Sequence, residues 1–179
     1  MYRCGFKTQR LYVYNLRCVT STGDGEDLYR DIERIITPNT TRFAPDDWRP
    51  IVNRQDAIVW LDHRLAESPV FVVKEIMSTD VVGFVFLYPI SLPSGLTELR
   101  LGYILGEAYW SRGLGTELME GIIGWARQNT GVAKISCGVA RDNAASIKML
   151  ERNNFYLASR HSDTLFYERL IEQPELQAE

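Results

Sequence analysis

Residues 109–121 read YWSRGLGTELMEG, two glycines one residue apart where bulky aromatics give way to a helical pattern. A glycine pair there strips side chains from the first turn of a helix, whose opening amides lack carbonyl partners and carry about half a positive charge. Phosphate oxygens settle at such ends. The third glycine of a dinucleotide fingerprint is missing, and no Gly-Lys-Ser/Thr follows to make a Walker loop. From the dipeptide alone, a tight strand-to-helix turn is an equal reading.

The flanking segments predict what surrounds the pair. QRLYVYNL, residues 9–16, alternates Leu11, Val13 and Asn15 against Tyr12, Tyr14 and Leu16, the period of a strand. GEDLYRDIERII spaces Leu28, Ile32, Ile35 and Ile36 as a helix ended by Pro38, and residues 53–66 carry Ile58, Leu61 and Leu65 on another, with Pro45 and Pro50 in the loop between. Residues 70–76 and 81–90 are β-branched and aromatic strands joined by a turn at Ser78, Thr79 and Asp80. TELRLGYIL places Leu99, Leu101, Tyr103 and Leu105 on a core face, and Glu98, Arg100, Gly102 and Ile104 on a partly polar one that could line a cleft. From Gly113 the spacing of Leu114, Leu118, Ile122 and Trp125 predicts a helix to about Gln128, stopped by Gly131. AKISCGVA follows as a strand and NAASIKMLERN as a helix, with Asn143 as N-cap and Asn154 as its left-handed close. FYLASR and DTLFYERLI finish as a hairpin through residues 161–163.

At 179 residues one domain is expected over 1–179, with a short tail from about 172. The longest apolar runs fall far short of the roughly 20 residues that cross a bilayer, so no membrane partner is expected. The first residues lack an apolar h-region, which points to the cytoplasm. A formal net charge of −3 with scattered basic residues gives no footprint for a phosphate polymer, so nucleic acid is not expected. Cys4, Cys18 and Cys137 have neither an even count nor metal-ligand spacing; they read as free thiols, with no structural disulfide. His63 and His161 stand alone, so no metal is expected.

The order of strand, bulky loop, Arg-Gly-Leu-Gly-Thr-Glu, long helix, strand, Asn-x-x-Ser at a helix start and a closing Asn-Phe resembles the acetyl-coenzyme A core of the GNAT acyltransferases. FKTQRLYVYNL and GYILGEAYWSRGLGTEL are similar to the Thr-x-Arg-Leu strand and Gly-Tyr passage of the RimJ/RimL-like branch, which contains the ribosomal-protein N-terminal acetyltransferases. The likeness spans about residues 6–170, its specific part 98–155. It implies an α/β (α+β) GNAT fold: a mixed, mostly antiparallel sheet of about six to seven strands with helices on both faces. It also implies acetyl transfer from acetyl-coenzyme A to a primary amine, a protein N-terminus or a small molecule, by a monomer or homodimer. Direct attack in a ternary complex is expected because no cysteine accompanies the motifs as an obvious nucleophile, while Cys137 on the strand beside the cleft leaves a covalent route open. A non-catalytic acyl-coenzyme A sensing module is the alternative.

The resemblance assigns roles residue by residue. Backbone N–H groups of Ser111, Arg112, Gly113, Leu114, Gly115 and Thr116 hold the coenzyme's pyrophosphate, although Trp110 stands where the family most often has Arg or Gln. Arg112 adds charge there or is a solvated loop cation. The pantetheine arm lies in a gap between residues 99–105 and 134–139, with amides of Tyr103, Ile104 and Leu105 on the thioester oxygen, as in an oxyanion hole. Glu98 is the candidate base, because amines are mostly protonated at neutral pH; it could equally pair with Arg100. The family's usual acidic tyrosine falls on Leu150; the branch resembled here instead has a serine three after the Asn, which makes Ser146 the candidate proton donor, or a serine favoured near a helix start. Asn143 orients the pantetheine end, caps the helix, or does both. Asp46 and Asp47 beside Trp48 could attract an amine or sit in a solvated loop.

Overall fold

A computed structural model of the chain describes residues 4–18, 25–45, 48 and 51–172. Asp46, Asp47, Pro50 and the tail beyond Glu172 lie outside the described residues. The strands are β1 Gly5–Lys7, β2 Leu11–Asn15, β3 Val70–Glu75, β4 Val81–Ser91, β5 Thr97–Leu105, β6 Val132–Ala140, β7 Tyr156–His161 and β8 Thr164–Leu170. The helices are α1 Gly25–Ile35, α2 Pro38–Thr41, α3 Arg54–Glu67, α4 Leu114–Arg127 and α5 Ala144–Arg152. One sheet of eight strands, in the order β1-β2-β3-β4-β5-β6-β8-β7, is antiparallel at every pairing except β5 with β6.

Eight strands exceed the expected six to seven because β1, three residues long, is too short to show a period of its own. It exists because it pairs with β2, Gly5 opposite Tyr14 and Lys7 opposite Tyr12. The same hairpin corrects the expectation of free thiols throughout. Asn15 N–H donates to the Cys4 carbonyl at 2.7 Å, and a 3-10 turn over Leu16–Cys18 brings Cys18 back. The two Cα atoms come within 5.8 Å and a disulfide joins Cys4 to Cys18, a separation that the bridge geometry accepts. Cys137 is the free, buried cysteine.

Both sheet faces are covered, which is why β4 reads as nearly continuous apolar sequence. Val85 and Leu87 join Leu99, Leu101 and Leu105 in a core under α4, completed by Leu114, Leu118, Ile122 and Trp125 as their spacing predicts. Phe84, Phe86 and Ile104 face the other way, into a core under α1 and α3 with Ile32, Ile35, Trp48 and Trp60. Trp48 and Phe86 meet edge to face at 4.7 Å between centroids, a geometry worth about 0.5–1.5 kcal/mol beyond burial. On α3 the buried stripe is Ala57, Trp60, Leu61 and Arg64, so Ile58 of the predicted face is displaced by Trp60.

Helix α4 crosses β1 closely because position 121 is glycine: a Cβ there would stand 2.5 Å from Phe6 Cε2. At α5, Asn143 Oδ1 accepts from Ser146 N–H at 3.2 Å, and Asn154 closes the helix at φ 58°, both as the sequence predicts.

Candidate active site

The parallel strands β5 and β6 pair only from Thr97 opposite Val132 to Arg100 opposite Ser136. Beyond that, β5 stays with β4 as far as Leu105, and β6 stays with β8 as far as Ala140. A wedge therefore opens between residues 101–105 and 137–140. Ladder alternation decides which groups face it. Gly106 N–H donates to Val82 O at 2.9 Å and Thr97 N–H to Gly131 O at 2.7 Å. Even-numbered residues of β5 thus bond β4, and Leu101, Tyr103 and Leu105 turn N–H and C=O toward the wedge. Ile104, expected to share in holding a thioester, spends its N–H on β4 and is buried in the α1/α3 core. The Leu105 carbonyl is taken by Trp110 Nε1 at 2.8 Å, so the indole at the Arg/Gln position seals the end of β5.

Past Trp110 the chain makes a tight loop into α4, with Ser111 at φ 57° and Gly113 at φ 78°. Gly113 is the N-cap and no side chain caps the helix. The first helical bond, Glu117 N–H to Gly113 O at 3.2 Å, leaves the amides of Leu114, Gly115 and Thr116 without helical partners. A Cβ on Gly115 would lie 3.6 Å from both Leu105 Cδ1 and Met149 Sδ. The bare first turn thus looks between the end of β5 and α5, at the mouth of the wedge. A diphosphate at the amides and a narrow arm in the wedge fit these residues.

A network that the sequence reading missed fixes this loop. Glu117 Oε1 accepts from Thr8 Oγ1 at 2.6 Å and from Arg10 N–H at 2.7 Å, while Oε2 accepts from Arg10 Nε at 2.6 Å. Arg10 Nη1 donates to the Arg112 carbonyl at 2.9 Å. Burial alone would raise the Glu117 carboxyl; hydrogen bonds from Thr8 and Arg10 outweigh it and hold it below the usual range. The Thr-x-Arg and Gly-Thr-Glu strings are therefore two halves of one contact. Arg112, expected either to add charge near the phosphates or to be a solvated loop cation, pairs its Nη2 with Glu75 Oε1 at 2.6 Å.

Across the wedge Tyr103 hydroxyl donates to Ser146 Oγ at 2.7 Å. Burial pushes the Tyr103 phenol up to about 12, and the Cys137 thiol also up to about 12, so both carry their protons at neutral pH. Leu150, where the family tyrosine would fall, is a core residue.

Glu98 stands at the closed end. Its Oε1 accepts from Ser136 Oγ at 2.6 Å and from Arg100 Nε at 3.5 Å, and its Oε2 lies 3.3 Å from Lys134 Nζ. Lys134 also donates to Glu168 at 2.7 Å. Desolvation would raise the Glu98 carboxyl, but Ser136, Lys134 and Arg100 together hold it below the usual range. At roughly 3.3 Å per residue, about 16 Å of strand separates Glu98 from Tyr103. The structure thus brings Tyr103, Leu105, Leu114, Gly115, Thr116, Asn143 and Ser146 around one opening and leaves Glu98, Ile104 and the Arg112 side chain out of it. Among the described residues no cluster of three or more metal-ligating side chains occurs and no helix is long and apolar enough to cross a membrane.

A mixed sheet whose one parallel pair splays toward a glycine-led helix is the arrangement that the resemblance to the GNAT acyltransferases implies. Residues 15–156 match the family model described as the acetyltransferase (GNAT) domain, and the chain belongs to that family of enzymes, which act on an amine acceptor. Solved structures share the fold. A GCN5-related N-acetyltransferase from Brucella melitensis is similar at TM-score 0.76 and 18% identity, with 95% of this chain and 80% of that one covered. A GNAT-family acetyltransferase from Bacillus anthracis is similar at 0.74 and 12%, covering 94% and 99%. The ribosomal-protein-S5-alanine acetyltransferase from Vibrio fischeri is similar at 0.64 and 15%, covering 95% and 98%.

Proposed function

We propose that the chain is a single-domain N-acetyltransferase over residues 1–179 that moves an acetyl group from acetyl-coenzyme A to a primary amine by direct attack in a ternary complex. The observation that carries this reading is the wedge itself: inward N–H groups of Tyr103 and Leu105, free amides on α4 and the Ser146 hydroxyl converge on one opening. The coenzyme supplies an activated acetyl thioester. Amides of residues 111–116 hold its diphosphate. Tyr103 and Leu105 N–H groups stabilise the charge that develops on the acyl oxygen, donors already in place before it appears. Ser146 delivers a proton to the departing sulfur, and Asn143 fixes the Ser146 backbone. Glu98 does not touch the amine; it anchors β5 to β6, and the amine's proton leaves through water. A proton-donating hydroxyl at the wedge favours turnover over a sensing module.

The proposed site is cytoplasmic and the acceptor a protein N-terminus or a small amine. One structural neighbour is named for its action on an alanine of ribosomal protein S5, which makes an α-amine the first acceptor to test. Thermal unfolding with acetyl-coenzyme A at 100 times its dissociation constant should show about 2.7 kcal/mol of added stability. Gly115→Glu, which puts a carboxylate between Leu105 and Met149, should lose that stabilisation. An equal shift in both proteins, or none in either, would count against the site.

A further inference from the structure

Tyr103 brings two groups to the wedge: a backbone N–H on the β6-facing edge of β5, and a phenol that crosses to α5. The phenol is the donor in its 2.7 Å bond to Ser146 Oγ. A serine hydroxyl has one hydrogen and two lone-pair sites, so accepting from Tyr103 leaves the hydrogen of Ser146 unspent. Asn143 does not compete for it, because its Oδ1 takes the Ser146 backbone N–H. Accepting a hydrogen bond also polarises a hydroxyl and makes it a stronger donor in turn.

We infer that Tyr103 is a positioning residue for proton delivery: it holds and polarises Ser146 so that the Ser146 hydroxyl donates to the sulfur that leaves during acyl transfer. This inference rests on the function proposed above. As the C–S bond breaks, sulfur keeps the bonding pair and takes the Ser146 proton, while the proton that the amine gives up as its C–N bond forms returns through water to Ser146 Oγ. Tyr103 keeps its own proton throughout and holds Ser146 by donating to it, because a phenol pushed up to about 12 is a weaker acid than a thiol. Burial, which pushes the phenol up to about 12, keeps Tyr103 in the proton-bearing form between turnovers. The buried Cys137 thiol is also pushed up to about 12 and so carries its proton at neutral pH.

The test compares the unsubstituted protein with Tyr103→Phe, Ser146→Ala and the double variant. Phenylalanine keeps the ring and removes only the hydroxyl. Coenzyme A is bound to each, and its thiol is titrated by the difference absorbance of the thiolate. The thiol should ionise at lower pH in the unsubstituted protein than in Tyr103→Phe, by about one unit, a tenfold change. In the Ser146→Ala background, Tyr103→Phe should add nothing. With an acceptor, kcat should fall about tenfold in Tyr103→Phe with KM for acetyl-coenzyme A unchanged, and about a hundredfold in Ser146→Ala, the lower end of general-acid effects. An unchanged thiol titration in Tyr103→Phe, or equal losses in both backgrounds, would overturn the proposal while leaving the proposed function standing. If acetyl-coenzyme A does not stabilise the unsubstituted protein, the proposed function fails and this inference fails with it.

Discussion

At the scale of single residues, neighbours decide what a side chain can do. Glu98 sits on the partly polar face of its strand, as its alternation predicts, yet Ser136, Lys134 and Arg100 occupy both its oxygens. Its carboxyl is held low in the fold, so its contribution to stability is present above the unfolded value of about 4.3 and is lost as pH falls through the lower folded value. Glu98→Gln should therefore cost about 1.5–3 kcal/mol at neutral pH, the range for a hydrogen bond to a charged group. Urea unfolding should show the gap between variant and unsubstituted protein closing as pH drops below about 4. Turnover at saturating substrates should change little; a loss of a hundredfold or more would return Glu98 to the role of base. The Tyr103 hydroxyl shows the opposite case. Period 2 puts its ring on the core face, but no pattern along the chain indicates that the phenol ends 2.7 Å from a serine 43 residues later.

At the scale of elements, α4 was legible almost to its ends, because glycine, spacing and stop signal agree: expected from Gly113 to about Gln128, it spans Leu114–Arg127. The loop before it was only half legible. Its freedom from side chains shows in the two glycines, whereas its rigidity comes from Arg10 and Thr8 on a different element. Arg10→Met should remove the Nε bond to Glu117 Oε2 and the Nη1 bond to the Arg112 carbonyl, leaving the backbone N–H bond to Oε1 in place. We expect coenzyme affinity to weaken about tenfold, or 1.4 kcal/mol, when measured by titration calorimetry. Unchanged affinity with a lowered unfolding midpoint would assign the clamp to folding alone. β1 was missed for a related reason: three residues carry no period, and only pairing with β2 makes them a strand.

At the scale of the whole molecule, the disulfide follows from that missed strand. Cys4 and Cys18 are both exposed and close a loop with a sequence separation of 14, a length for which chain-entropy arguments give about 3 kcal/mol. Reduction should lower the unfolding midpoint by roughly 6–12 °C in a chain of this size, read by calorimetry with and without a thiol reductant. An unchanged midpoint would mean that the hairpin holds without the bridge, as it must wherever a cytosolic thiol pool keeps such an accessible pair reduced. The sequence by itself determined what depends on local period and local backbone freedom: the strand and helix types, the glycine-led helix, the caps at Asn143 and Asn154, and through them the family. Only the tertiary structure decided where β5 parts from β6, which β5 amides face the opening, which cations are already paired, and that Tyr103 meets Ser146. Those features depend on ladder register and on contacts between residues far apart in sequence, and side-chain spacing along the chain encodes neither.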